Sequence, residues 1–330
     1  MAEFQKITEP LIKKLWKEGY FTIPMPGKER KEFKLDMPAF KRFDIFAAKW
    51  ENDQLKVLAV ESKIRAAEGI PQARTYQLCI PEVYVASINE ENNRELIEKF
   101  IKYGIGYIAV IKGSPQVLVE PRRSPFFNRK FYESEVVPRA ITILGFYDFM
   151  SKCLGKDRDE ILRDTDLGVE VNYLWISDRK SSEGIQWSMV YDGDTIRFGI
   201  NLESVKAIEN AFSKKSESHI KSLFNEIKQL PKNFRIKFER RCPEGEKFRR
   251  GMQHVPYTEL GKSEKRVTEL SDKDISFMAK KAKNDKYIEF GIWVDICKKE
   301  EIPSWNRNEL WRKMEYYKTK YLDNFYNSLK

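Results

Sequence analysis

The sequence predicts an α/β fold: a mixed sheet flanked by helices, followed by a second α+β domain. Three observations predict it. The first 120 residues alternate between helical and strand periodicities in the order helix, hairpin, helix, strand, helix, strand, which puts helices over a sheet. Proline and basic residues then crowd Glu120 to Lys130, where a linker belongs. The chain has 330 residues, enough for two domains at roughly 100–200 residues each. We therefore divide it into residues 1–130 and 131–330.

Residues 3–19 carry Phe4, Ile7, Leu11 and Leu15 on one stripe and end at Gly19, a helix with a stop signal. Residues 24–41, rich in proline, glycine and lysine, read as a loop. Phe43 to Trp50 and Lys56 to Ile64 are strand-like, and the polar Glu51-Asn52-Asp53-Gln54 between them makes an antiparallel hairpin. Gly69 to Cys79 reads as a helix, Glu82 to Ser87 as a buried strand and Asn89 to Tyr103 as a helix. Gly106 to Ile111 and Gln116 to Val119 are further strands.

In the second domain, Val136 to Leu154 reads as a helix. Val169 to Ile176, Ile185 to Tyr191 and Thr195 to Ile200 read as strands, the last two joined by Asp192-Gly193-Asp194. Ser204 to Leu230 reads as one long helix, Phe234 to Arg240 and Tyr287 to Ile296 as strands, and Asn306 to Leu329 as a terminal helix whose aromatics pack. Gly261-Lys262-Ser263 is a turn: Pro256 stands where a phosphate loop needs glycine. Asp164 to Gly168 is an acidic turn without the spacing of a calcium loop.

Composition narrows the chemistry. Hydrophobic residues make up 41% and charged residues 33%, with 21 Phe, 15 Tyr and 7 Trp to fill cores. The net charge of +10 and pI near 9.1 favour a polyanionic partner. No apolar run is long enough to span a bilayer and the first 14 residues do not resemble a secretory signal. The expectation is a cytoplasmic protein with nucleic acid as the polyanion and no membrane. The four cysteines form no CxxC pair, which argues against a zinc ribbon or disulfide framework. That only His219 and His254 are present argues against a Ser-His-Asp triad, a histidine-rich metal site or a zincin motif. Catalysis must rest on carboxylates, lysine, tyrosine or a hard metal ion.

One stretch supplies those groups. Asp44 lies early in the first hairpin strand, and Glu61-Ser62-Lys63 near the end of the second. Alternation along a strand points Glu61 and Lys63 to one face, and the hairpin brings Asp44 beside Glu61. Their neighbours are apolar, so the three charges must pair or bind something. Two carboxylates and the Ser62 carbonyl suit Mg2+ or Mn2+. Lys63 can orient a water or neutralise charge on phosphoryl oxygens.

Asp44 followed seventeen positions later by Glu61-Ser62-Lys63 resembles the signature of the PD-(D/E)xK nucleases, the restriction-endonuclease-like fold. Glu9, in Glu9-Pro10-Leu11-Ile12-Lys13-Lys14-Leu15-Trp16-Lys17-Glu18-Gly19-Tyr20, is similar to the opening-helix glutamate of archaeal Holliday-junction resolvases and Mrr-type nucleases. Gln72-Ala73-Arg74-Thr75-Tyr76 resembles the QxxxY motif of RecB-type members, with Gln72 and Tyr76 on one helical face. Phe43 stands where the signature has proline, with Asp36 the fallback ligand. The resemblance covers about the first 120 residues. It implies a metal-dependent endonuclease acting on DNA, of restriction or repair type, with Asp44, Glu61 and Ser62 on the metal and Lys63, Glu9, Gln72 and Tyr76 in the active site. A homodimer on double-stranded DNA would follow. The alternatives are a catalytically inactive nuclease-fold nucleic-acid binder and a protein-interaction module.

For backbone contacts the candidates are Arg65 and Arg74 near the site, Arg122 and Arg123 at the junction, and Arg240, Arg241, Arg249 and Arg250 in Pro231–Arg266. That last stretch holds 11 Lys/Arg against 5 Asp/Glu, with phenylalanines interleaved.

Overall fold

In the computed structural model, the described residues are 3–28, 33–35, 41–88, 93–178, 184–243, 245–246, 252 and 254–330. Arg249, Arg250 and Asp36 lie outside them. A π-helical segment, Phe4–Thr8, runs into α1 (Glu9–Lys17). Then come β1 (Phe21–Ile23), β2 (Phe33–Leu35), β3 (Lys41–Phe43), β4 (Ile45–Glu51), β5 (Gln54–Ser62), α2 (Ala66–Tyr76), β6 (Glu82–Ile88), α3 (Arg94–Tyr103), β7 (Gly106–Ile111) and β8 (Ser114–Val119).

Six of these strands form a mixed sheet in the order β1-β4-β5-β6-β7-β8. β5, β6 and β7 run parallel, and the other pairs are antiparallel. The β4–β5 hairpin turns on Asn52 and Asp53, with φ of 49° and 60°, the left-handed conformation that tight hairpin turns require and these two residue types tolerate. α2 and α3 complete the parallel crossovers, as parallel strands demand. The parallel strands are buried almost throughout: β6 has a run of five buried residues from Val83 to Ser87, which is why they read as continuous apolar runs.

Two local expectations are corrected. Residues 24–41 contain strand structure: β2 pairs antiparallel with β3, and Phe33 stacks on Phe46 with ring centroids 3.8 Å apart. An isolated three-residue strand in a lysine-rich context carries no periodicity, so the contact had no local signal. Phe43 to Trp50 is also not one strand, because Asp44 sits at a bend between β3 and β4.

The second part contains α4 (Arg129–Phe131), a π segment Tyr132–Val136, α5 (Val137–Lys152), α6 (Arg158–Asp164), β9 (Thr165–Glu170), β10 (Tyr173–Asp178), β11 (Ile185–Tyr191), β12 (Thr195–Leu202), α7 (Val205–Ile208), α8 (Glu217–Lys228), β13 (Phe234–Arg240), β14 (Val255–Pro256), β15 (Glu264–Arg266), α9 (Asp272–Asn284), β16 (Ile288–Lys298), α10 (Arg307–Tyr317) and α11 (Asp323–Leu329). Its sheet is antiparallel throughout, in the order β14-β13-β16-β12-β11-β10-β9, with β15 against β13. Alternation is strict on β12: Ile196, Phe198, Ile200 and Leu202 are buried in the core, while Arg197, Gly199 and Asn201 line the opposite face.

Here too the sequence reading needs correction. Val169 to Ile176 is a turn between β9 and β10 with strand on either side, and Asp164 to Gly168 closes a helix and opens β9. The long helix Ser204–Leu230 is broken before Ser216, whose hydroxyl caps α8. α9 completes the set, its Ser271–Asp274 capping box opening a helix on a largely polar stretch. The terminal aromatics do pack: Tyr317 and Tyr321 meet Phe234, and Tyr326 stacks on Trp187.

α5 joins the halves. It is buried on nearly every face, from Val137 to Met150, and contacts β4 on one side and β10, β11 and α10 on the other. Its Tyr147 meets Trp16 and Phe21 edge-on, while its Phe149 meets Trp187 and Phe198. Arg158 reinforces the junction by donating to the Tyr20 carbonyl at 2.9 Å and lying over Trp16. One apolar core therefore spans both sheets.

Candidate active site

The bend at Asp44 and the C-terminal end of β5 meet at one point. The β4–β5 register pairs Ile45 with Val60, so the next residues out, Asp44 and Glu61, face each other. Asp44 Oδ2 accepts from the Ser62 backbone N–H at 2.9 Å, which fixes the bend. Beyond Ser62, the Lys63 N–H still pairs with the Ala86 carbonyl at 2.9 Å. β6 thus holds the Lys63 backbone although the strand has formally ended.

Glu61 is 1% exposed. Its Oε1 lies 2.5 Å from Lys63 Nζ and its Oε2 2.6 Å from the Tyr76 hydroxyl. The same hydroxyl is 2.7 Å from the Arg42 carbonyl oxygen, so its one proton serves two acceptors. Tyr76 stands on the last turn of α2 and packs edge-on against Phe43 at 4.6 Å. Gly69, on the same helix, keeps the approach open: a Cβ there would meet Val85 at 2.8 Å and the Lys63 chain at 3.4 Å.

Burial, then the charge of Asp44, pushes the Glu61 carboxyl above the ordinary range, against the opposing bonds from Lys63 and Tyr76. Burial works against the Lys63 charge, but the bond to Glu61 and the fields of Glu61, Asp44 and Glu3 outweigh it, so its pKa is raised and it stays an ammonium. Burial and the neighbouring Glu61 charge also raise Tyr76, which stays a neutral donor; Gln72 bonds to it and opposes that rise. Glu61 thus has the Lys63 ammonium on one side and the opposing charge of Asp44 on the other. An additional cation would relieve the Asp44–Glu61 repulsion, so the donor set fits a hard divalent ion held by Asp44, Glu61 and the Ser62 carbonyl.

The structure thus brings together Asp44, Glu61, Ser62, Lys63, Gln72 and Tyr76. It does not bring in Glu9, which pairs with Lys13 at 2.8 Å and lines a surface groove with Lys14, Lys17 and Lys112. The first helix reaches β5 one residue earlier, where the Thr8 hydroxyl donates to Ser62 Oγ at 3.1 Å. That contact lies on the face opposite Glu61. The carboxylate from this end of the chain whose field acts on Lys63 is Glu3. Helical spacing could not find it, because the π-helical turn Phe4–Thr8 shifts the phase between residues 3 and 9.

The arginines divide. Arg65, at the N-cap of α2, is exposed. Arg74 is exposed, its guanidinium over the Tyr103 ring at 5.1 Å. Arg123 lies over Phe127 at 5.2 Å. Arg122 bonds the Ile101 carbonyl. Arg240 is drawn into the fold, donating to Asp285 Oδ2 at 2.9 Å and to the carbonyls of Cys242 and Pro243. Arg241 lines a cavity on the second sheet.

A second charged cluster lies on that sheet. Glu239, His254 and Glu289 are close enough to share one ion. His254 Nδ1 is 2.8 Å from Glu239 and 3.0 Å from Glu289, and Lys237 Nζ is 3.0 Å and 2.5 Å from the same two carboxylates. The bonds to Glu239 and Glu289 raise His254 to about 9, outweighing burial. Burial opposes ionisation of Glu239, but His254 and Lys237 hold it at about 2. Lysine and a protonated histidine already supply this cluster's positive charge. All four cysteines are free, and three of them are buried. No described helix is long and apolar enough to cross a membrane.

No family model matches the chain, and no curated protein matches it.

Proposed function

We propose that the chain is a Mg2+-dependent nuclease hydrolysing phosphodiester bonds in DNA, with its active site at Asp44, Glu61 and Lys63. The observation that carries this reading is the buried Glu61 carboxylate bonded at once to Lys63 and Tyr76 and faced by Asp44. Two carboxylates brought together at a buried position repel each other, and a cation held between them relieves that repulsion.

Asp44, Glu61 and the Ser62 carbonyl would hold the ion, which when bound supplies phosphate polarisation and a more acidic water. The remaining work falls to the chain itself. Tyr76 fixes the Glu61 carboxylate plane by donating to Oε2. Lys63 keeps its proton and presents positive charge where the phosphoryl oxygens gain negative charge. The exposed Arg65 and Arg74 flank the same helix, where they can hold the DNA backbone.

Supercoiled plasmid incubated with the protein and Mg2+ tests this. Nicking or linearisation is expected, with none in excess EDTA and none from Lys63→Ala. Wild-type activity in Lys63→Ala would remove the assignment. Salt-dependent DNA binding without cleavage would favour the non-catalytic binder.

A further inference from the structure

We propose that the open face of the second sheet carries a pocket for one nucleobase, laid flat over Trp175 and Trp293 and read along one edge by Ser188 and Asn201. The proposal stands whether or not the first site cleaves DNA.

The face away from the core holds a cavity of about 470 Å3, within the roughly 300–1,000 Å3 of small-ligand sites. Its floor is built by seating each tryptophan over a glycine. Trp175 stands opposite Gly168 of the neighbouring strand, and Trp293 lies two residues beyond Gly291 on its own strand. A Cβ at Gly168 would collide with the Trp175 indole nitrogen, and one at Gly291 would lie 2.5 Å from that of Trp293. Glycine at both positions lets one indole lie over the neighbouring strand and the other lie back along its own, rather than stand up from the sheet. A flat aromatic floor selects a flat ligand.

Two polar atoms aim into this cavity without a partner. Ser188 is 4% exposed and Asn201 3% exposed, and among the described residues neither Ser188 Oγ nor Asn201 Oδ1 has a hydrogen-bond partner. Buried polar groups are seldom left so. Asn201 Nδ2 donates to Glu203, which turns the Oδ1 acceptor away from that carboxylate. The pocket thus offers an acceptor and a hydroxyl, which match the mixed donor and acceptor edge of a heterocyclic base.

Charge does not choose the ligand. Arg197 is paired with Asp192, Glu264 and Asp295, and Lys237 with Glu239 and Glu289. His254 bonds Glu239 and Glu289, and the field of Arg241 falls on the Glu203 carboxyl of the same pocket, so each cation here has a carboxylate beside it and the lining does not single out an anionic ligand. A neutral, planar, polar ring fits. A base still attached to DNA would have to leave its stack to enter.

Titration with free adenosine, guanosine, cytidine and thymidine and their methylated forms, followed by tryptophan fluorescence and calorimetry, tests the pocket. Saturable quenching is expected with at least one nucleoside and none with ribose. Ser188→Ala and Asn201→Ala should each weaken binding about tenfold, and Trp175→Ala should abolish it. Ser188→Ala removes a single atom, so it keeps the test meaningful if Trp175→Ala unfolds. Lys63→Ala should bind nucleoside as wild type does, which separates this site from the nuclease reading. No saturable binding by any nucleoside at millimolar concentration overturns the proposal. So does unchanged affinity in both Ser188→Ala and Asn201→Ala, which would leave the cavity to solvent water.

Discussion

The two sheets each bury a cluster of opposite charges, and the clusters differ in how they balance. At the end of β5, Glu61 pairs with Lys63 and faces Asp44, and its carboxyl is pushed above its usual range. On the second sheet, Glu239 and Glu289 are matched by Lys237 and a protonated His254, and both carboxyls are held below theirs. The second arrangement is complete as an ion-pair network. In the first, burial and a second carboxylate close by work against the Glu61 charge. Closeness of acidic groups therefore does not by itself mark a metal site; what separates the two clusters is the direction in which their carboxyls are pushed.

The largest effect should separate the clusters by activity. Lys63→Ala should lower plasmid cleavage by at least about 100-fold, whereas Lys237→Ala should leave cleavage within about twofold and lower the melting temperature by roughly 5 °C. Comparable loss of cleavage in both would end the distinction.

Metal binding gives the next test. Mg2+ or Mn2+ at saturating concentration should raise the melting temperature by about 2–4 °C. Glu61→Gln should remove that shift, and Glu289→Gln should retain it. The reverse pattern would move the ion to the second sheet.

Titration sharpens the comparison further. His254 is raised to about 9 in the folded chain, against about 6.5 when unfolded. Its contribution to stability is fully present below pH of about 6.5 and is lost as pH rises through about 9. Melting temperature should fall across that window, and His254→Gln should flatten the fall. A wild-type profile no steeper than the variant's would contradict the ion pairing described for His254.

The smallest effects concern DNA affinity. Arg65→Ala and Arg74→Ala should each flatten the dependence of log affinity on log salt by up to about one unit. Arg240→Ala should leave that slope alone and reduce stability, since its bonds go to Asp285 and two carbonyls. Salt slopes that change only in Arg240→Ala would invert this assignment.

Much of the first site was legible because it lies within one hairpin and one helix. Period-two alternation places Glu61 and Lys63 together, the turn length places Asp44 opposite, and four-residue spacing places Gln72 and Tyr76 on one face. Thr8 and Glu3 were not legible: Thr8 bonds Ser62 from 54 residues away and the field of Glu3 acts on Lys63, both from a helix whose phase a π-turn alters. The second sheet was read strand by strand, but its pocket was not. Ser188, Asn201, Trp175 and Trp293 come from four strands, and only the register of the sheet aligns them. The Gly168, Gly199 and Gly291 positions were a signal in retrospect, since strand-interior glycines mark close approaches.

The nearly all-round burial of α5 has a consequence for how the molecule is lost and remade. A helix that supplies Tyr147 to one sheet and Phe149 to the other has no solvent-facing half on which either part could survive alone. Cutting the chain near residue 130 would strip the first sheet of the helix that covers β4 and leave Trp16 and Phe21 wet. Calorimetry should accordingly show a single endotherm rather than two, with the chain melting as one cooperative unit. Proteolysis at the Glu120–Lys130 crossing should yield fragments that stay associated until that common transition.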